Sequence, residues 1–102
     1  MKLSELVKTE EYKVPGTDIV IVLKDSISWF DQLKLNCEID NDLDKGKFIM
    51  TRMIERWNIK DDHDGIAPIT EQVIGSLPSK IMVPLFDHVQ LMIAAAKEKK
   101  NL

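Results

Sequence analysis

The stretch Val14-Pro15-Gly16-Thr17-Asp18-Ile19 constrains this chain more than any other. Proline presets φ at the first central position of a turn, and glycine supplies the positive φ that a type II turn needs at the next. Tyr12-Lys13-Val14 on one side and Ile19-Val20-Ile21-Val22-Leu23 on the other are β-branched or aromatic runs, so residues 12–23 read as a β-hairpin. Two strands alone are marginal in water, so the apolar face of this hairpin must rest on helices or on another subunit. The rest of the chain has to supply that cover.

Most of the chain beyond the hairpin has helical periodicity. Lys24-Asp25-Ser26-Ile27-Ser28 reads as a helix start with Ser26 or Ser28 as N-cap. Trp29, Phe30, Leu33 and Cys37 then follow helical spacing to about residue 38, which predicts a helix with those side chains in the core. Residues 38–44, with Asp40, Asp42 and Asp44, read as an acidic loop or a frayed helix end. Met50, Met53, Ile54 and Trp57 fall at i, i+3, i+4 and i+7, with Arg52, Glu55 and Arg56 on the other face, which predicts a second helix. Thr70 is an N-cap signal, and Ile69 and Ile74 stand where a hydrophobic staple places its partners. Gly75-Ser76-Leu77-Pro78 ends that short helix, and Pro78 suits the first turn of the next. The last helix is expected over 78–98, with Ile81, Leu85, Val89, Met92 and Ala96 on one stripe. Pro84 should kink or restart it, and Lys97, Lys99 and Lys100 suit its negative end. Residues 1–10 read as one helical turn or a frayed end. The expected fold is therefore mainly α (α+β): one small compact domain over 1–102, with an N-terminal hairpin at 12–23 and about four helices over 26–98.

Composition excludes several function classes. A net charge of −3 over 102 residues leaves no basic footprint for nucleic acid or an anionic membrane. No apolar run approaches membrane-spanning length, and the acidic N-terminal residues do not fit a signal peptide. Cys37 is the single cysteine, which rules out an internal disulfide and fits a reducing compartment. On its apolar helix face it reads as a buried structural thiol. The serines lie in capping or turn contexts, no glycine-rich phosphate loop exists, and no tuned carboxylate pair is visible. The residues point away from an enzyme. Trp29, Phe30 and Trp57 lack interleaved basic residues, so they read as core rather than as base-stacking platforms.

The segment Trp57-Asn58-Ile59-Lys60-Asp61-Asp62-His63-Asp64-Gly65-Ile66-Ala67-Pro68-Ile69-Thr70-Glu71 admits more than one reading. With Gly65 at the sixth position of a calcium loop, Asp62, Asp64 and Glu71 fall at ligand positions three, five and twelve. Lys60 at the first position would set an ammonium beside the cation, and Pro68 occupies another ligand position. His63 with Asp61 and Asp64 lacks a second ligand pair, because His88 is the only other histidine. The segment therefore reads as a turn joining two elements, with no dedicated metal or other cofactor.

The order of these parts resembles the tail assembly chaperones of long-tailed bacteriophages and prophages. Tyr12-Lys13-Val14-Pro15-Gly16 followed by Ile19–Lys24 is similar to that family's V-x-V-P-G-like hairpin ahead of a first helix. Trp57-Asn58-Ile59, the acidic turn at Gly65, Pro68-Ile69-Thr70 and Leu77-Pro78 resemble its W-N-L, acidic-D-G, P-I/V-T and L-P elements. The resemblance spans roughly residues 12 to 90, and Pro84 inside the last helix departs from it. It implies a non-enzymatic protein of the bacterial cytoplasm, absent from the mature virion, that binds the tape measure protein and recruits tail tube subunits. A structural phage component, such as a head–tail connector or minor tail protein, is the alternative in the same setting. It also implies a C-terminally extended form made by ribosomal frameshifting, for which Lys99-Lys100-Asn101 is a suitable slippery tripeptide.

Binding a long helical protein demands an apolar, adaptable face, and methionine repacks readily against varied helices. Met50, Met82, Leu85 and Phe86 are the candidates for it, with Met53 and Met92 assigned to the core. Met82 and Phe86 lie off the Ile81/Leu85/Val89 stripe and so belong to a second, partner-facing surface. An empty surface of that kind also favours a homo-oligomer.

Overall fold

The computed structural model describes residues 1–100, with the side chains of Ser4 and residues 96–100 excepted. The expected side-chain placements of Ala96, Lys97, Lys99 and Lys100 lie outside what is described, as does Asn101 of the Lys99-Lys100-Asn101 tripeptide.

Strand β1 (Thr9–Lys13) pairs antiparallel with β2 (Val20–Lys24), placing Tyr12 opposite Ile21 and Glu10 opposite Leu23. The turn is the one expected. Thr17 N–H donates to Val14 C=O at 3.2 Å, and Gly16 between them has φ +76°. Residues before the hairpin form a single 3-10 turn at Leu3–Glu5, and Leu3 and Leu6 are exposed.

Helix α1 (Trp29–Cys37) starts at Ser28, whose Oγ accepts from Asp31 N–H at 3.1 Å. Helix α2 (Asp42–Met53) starts inside the acidic stretch that reads as loop. Asn41 Oδ1 accepts from Leu43 N–H at 2.7 Å, and Asp42 and Asp44 sit favourably at the positive end of the helix.

The helix expected to carry Ile54 and Trp57 stops short of both. After Met53 the backbone turns extended, and Ile54–Trp57 forms a third strand, β3, antiparallel to β2. Ile54 pairs with Leu23, but Arg56 pairs with Val22, so Glu55 is an extra residue in the ladder. This bulge puts Ile54 and Trp57, three residues apart, on the same core-facing side. A three-residue spacing of buried side chains thus looks helical while belonging to a strand. The sheet order β1-β2-β3 places the most apolar strand at the centre.

A loop leads to α3 (Glu71–Ser76), capped by Thr70 Oγ1 accepting from Val73 N–H at 3.3 Å. Ile69 and Ile74 both join the core, as the staple pattern predicts. Helix α4 (Ser79–Lys100) runs as one element through Pro84 rather than restarting there, and Pro78 C=O accepts from Ile81 and Met82 N–H in its first turn. No helix among the described residues is long and apolar enough to cross a membrane.

Helices cover one face of the sheet. Val14, Ile21, Leu23, Ile54 and Trp57 pack with Met50 and Met53 of α2, Ile74 of α3, and Ile81, Leu85 and Val89 of α4. The last three form the expected stripe, and Met92 packs half-buried beside it. The result is a three-stranded antiparallel sheet with four helices, about half of the chain being helical.

One helix contradicts its expected orientation. Trp29 and Phe30 are 72% and 76% exposed, Leu33 and Cys37 are exposed, and α1 buries no residue. Asp31, Gln32 and Leu35 are the half-buried positions of this helix instead. Asp31 Oδ1 accepts from Arg52 Nε at 3.3 Å, and Lys34 Nζ lies 5.6 Å from the centre of the Phe48 ring. Arg52 also lies over that ring, at 4.8 Å. Such half-exposed contacts contribute under about 1 kcal/mol each. Periodicity locates an apolar stripe but cannot say which side of a helix the rest of the molecule will cover.

Candidate functional site: an apolar groove beside α2

The acidic segment is built as a closed turn. Asp61 Oδ1 accepts from His63 N–H at 2.8 Å and Gly65 N–H at 3.1 Å, while Asp61 N–H donates to Gly65 C=O at 2.7 Å. Lys60 bridges to Ile66, and Ala67 N–H donates to Ile59 C=O, so the loop is a short hairpin of its own. Asp64, rather than Gly65, takes the left-handed conformation, with φ +63°. One carboxylate is therefore spent on backbone amides. No group of three or more potential metal ligands gathers among the described residues, and Asp62, Asp64 and Glu71 do not converge.

Neighbouring residues anchor this loop to the sheet. Trp57 Nε1–H donates to Ala67 C=O at 2.8 Å in the core. Asn58 Oδ1 accepts from Val20 N–H at 2.8 Å, and its Nδ2 donates to Asp18 C=O at 2.9 Å, tying the loop to the first hairpin. Pro15 and Gly16 make the type II turn, Thr70 caps α3, and Leu77 and Pro78 link α3 to α4. Pro68 is exposed on the strand-to-helix connection, with its carbonyl accepting from Thr70 N–H. All of these hold architecture.

An apolar groove lies elsewhere on the molecule. Leu43, Gly46, Lys47 and Met50 fall at i, i+3, i+4 and i+7 along α2 and form one wall of an open groove of about 530 Å³. Met82, Val83 and Phe86 of α4 form the opposite wall, and Ile74 and Leu77 close one end. The α4 residues stand beside the core stripe, so the helix shows one apolar face to the interior and a second to the groove. The Phe86 ring lies against α2 at Gly46, where an added Cβ would be in ordinary van der Waals contact with Phe86 Cζ at 3.5 Å. Leu43 and Val83 at the rim are 65% and 58% exposed. Asp42, Asp87 and Lys47 mark its polar edge.

Two expected partner-facing residues, Met82 and Phe86, line this groove half-buried. Met50 contributes only to its floor, being 2% exposed. Leu85 needs correction. It is fully buried in the core stripe and presents nothing to a partner. Leu43 and Val83 carry no such signal in the sequence, since Leu43 stands in a stretch too acidic to read as helix. Tyr12 and His88, with ring centres 5.0 Å apart, and Glu10, 2.8 Å from His88 Nε2, join β1 to α4 outside the groove. Searches against protein-family models, curated proteins and solved structures match nothing, so the geometry of this groove has to carry the functional argument.

Proposed function

We propose that the protein is a non-enzymatic bacteriophage tail assembly chaperone, binding apolar helices of a tape measure protein through the α2–α3–α4 groove and recruiting tail tube subunits. The observation that supports this reading is the exposed apolar groove itself. Met82 and Phe86 line its α4 wall half-buried, with Met50 buried at its floor, and a methionine beside an aromatic ring repacks readily against varied helix faces. In the proposed setting the protein acts in the bacterial cytoplasm and is absent from the finished particle. Its presence in purified virions would instead favour the connector or minor tail reading.

Co-expression with helical tape measure fragments tests the proposal. The wild-type chain should keep those fragments soluble and co-purify with them. Leu43→Glu with Val83→Glu puts charge on both exposed rims without touching the core, and should weaken capture at least tenfold, about 1.4 kcal/mol. A wild-type chain that neither binds nor solubilises the fragments overturns the reading.

A further inference from the structure

A second cavity, of about 290 Å³, lies between α1 and α2. Lys45, Ile49 and Met53 of α2 line it at i, i+4 and i+8, a different stripe from the Leu43, Gly46 and Met50 of the groove. Its apolar lining is Ile27, Leu35, Ile49, Met53 and Ile93, drawn from the β2–α1 connection and from α1, α2 and α4. The cavity exists because α1 buries no residue and is held to α2 by the long side chain of Arg52 and by the Phe48 ring. Its volume is close to the lower end of small-molecule sites, about 300 Å³.

Two opposite charges share this lining, Asp25 and the half-buried Lys45, and no ion pair joins them. Asp25 Oδ1 accepts from Lys8 N–H at 3.2 Å and from Ser26 Oγ–H at 3.3 Å, which fixes the carboxylate in place. Its Oδ2 takes no hydrogen bond among the described residues. Gln32, half-buried on the α1 side, donates from Nε2 to Asn36 Oδ1 at 3.2 Å and keeps Oε1 as an acceptor.

We propose that this cavity binds a free apolar α-amino acid of about leucine size. The side chain lies among the aliphatic residues, the carboxylate meets Lys45, and the ammonium meets Asp25 Oδ2 and Gln32 Oε1. Charge selects this class. A simple fatty carboxylate would satisfy Lys45 but bring a like charge towards Asp25, and an alkylamine would do the reverse. A molecule with both charges on one carbon satisfies both, while its apolar branch removes aliphatic surface from water. A ligand of about nine heavy atoms at ordinary efficiency binds around the millimolar range. Each carbon lost from its side chain weakens binding about fourfold. This site is separate from the groove and does not depend on what the groove accepts.

NMR titration of the isotope-labelled full chain with L-leucine tests it. Saturable shifts should appear at the amides of Ile27, Gln32, Leu35 and Ile49, and glycine should give none over the same range. Leucinamide, which lacks the carboxylate, and N-acetyl-leucine, which lacks the ammonium, should each bind at least tenfold more weakly than leucine. Lys45→Met should lose the preference for leucine over leucinamide, and Asp25→Asn the preference for leucine over N-acetyl-leucine. Circular dichroism with thermal melting verifies that both variants fold. Wild-type protein that shows no saturable shift at these amides in tens of millimolar leucine overturns the proposal without involving any variant. So does equal binding of leucine and its two blocked forms, a set of shifts confined to Met82 and Phe86 in the groove, or a folded variant that keeps both preferences.

Discussion

Trp57 is secured twice, by a ring buried in the core and by an indole N–H that donates to Ala67 C=O. Trp57→Phe keeps most of the apolar area and removes the donor, leaving a buried carbonyl short of a partner. Urea denaturation should show a loss of about 1–3 kcal/mol. Trp29→Ser, on the exposed side of α1, should change stability by less than about 0.5 kcal/mol. In the sequence both tryptophans begin or end an apolar helical pattern, and nothing in their immediate neighbours separates them. Ser28, Thr70 and the Pro15-Gly16 pair are legible, because a cap or a turn needs only the next three residues of backbone. Asn58 is readable as part of a resemblance but not as a clamp. Its partners Val20 and Asp18 are far away along the chain.

Among the elements, β3 depends most on its surroundings. Ile54 and Trp57 share the core face because Glu55 is looped out as a bulge. Deleting Glu55 should close the bulge into a regular ladder, in which Ile54 and Trp57 stand two positions apart and still share the core face. Thermal melting of the deletion should therefore show far less than the roughly 3–5 kcal/mol that turning a buried Trp to solvent would cost. Glu55→Ala, which keeps the residue count, should melt near wild type. Helix α1 is the opposite case, regular in backbone and inverted in packing. Its ends follow from Ser28 and the turn at Glu38, yet the side that meets α2 carries Asp31, Gln32 and Leu35 rather than the aromatic pair. The reason is that the Asp31–Arg52 contact and the cations over Phe48 involve α2 side chains whose positions are set by the core, not by α1.

Over the whole molecule, a sheet and three helices share one core while α1 rides outside it. The radius of gyration, 14.3 Å, exceeds the roughly 13 Å of a tightly rounded domain of this length, as such an arrangement implies. Hydrogen exchange should reflect this division. Amides of β2 and of the Ile81–Val89 part of α4 should exchange only on global unfolding, whereas α1 amides should exchange by local opening, orders of magnitude faster. Equal protection of α1 and β2 would contradict it. The hairpin and its turn, the caps of α1 and α3, and the core stripe of α4 are all written in the order of residues. Each rests on chemistry within a few residues or on a period repeated along one element. Three other outcomes were settled by packing between distant elements: Ile54–Trp57 is a strand, Leu85 is core while Met82 and Phe86 line a groove, and the aromatic side of α1 is left uncovered. Those outcomes depend on which surface another element covers. Periodicity along a single stretch of chain carries no record of what lies opposite.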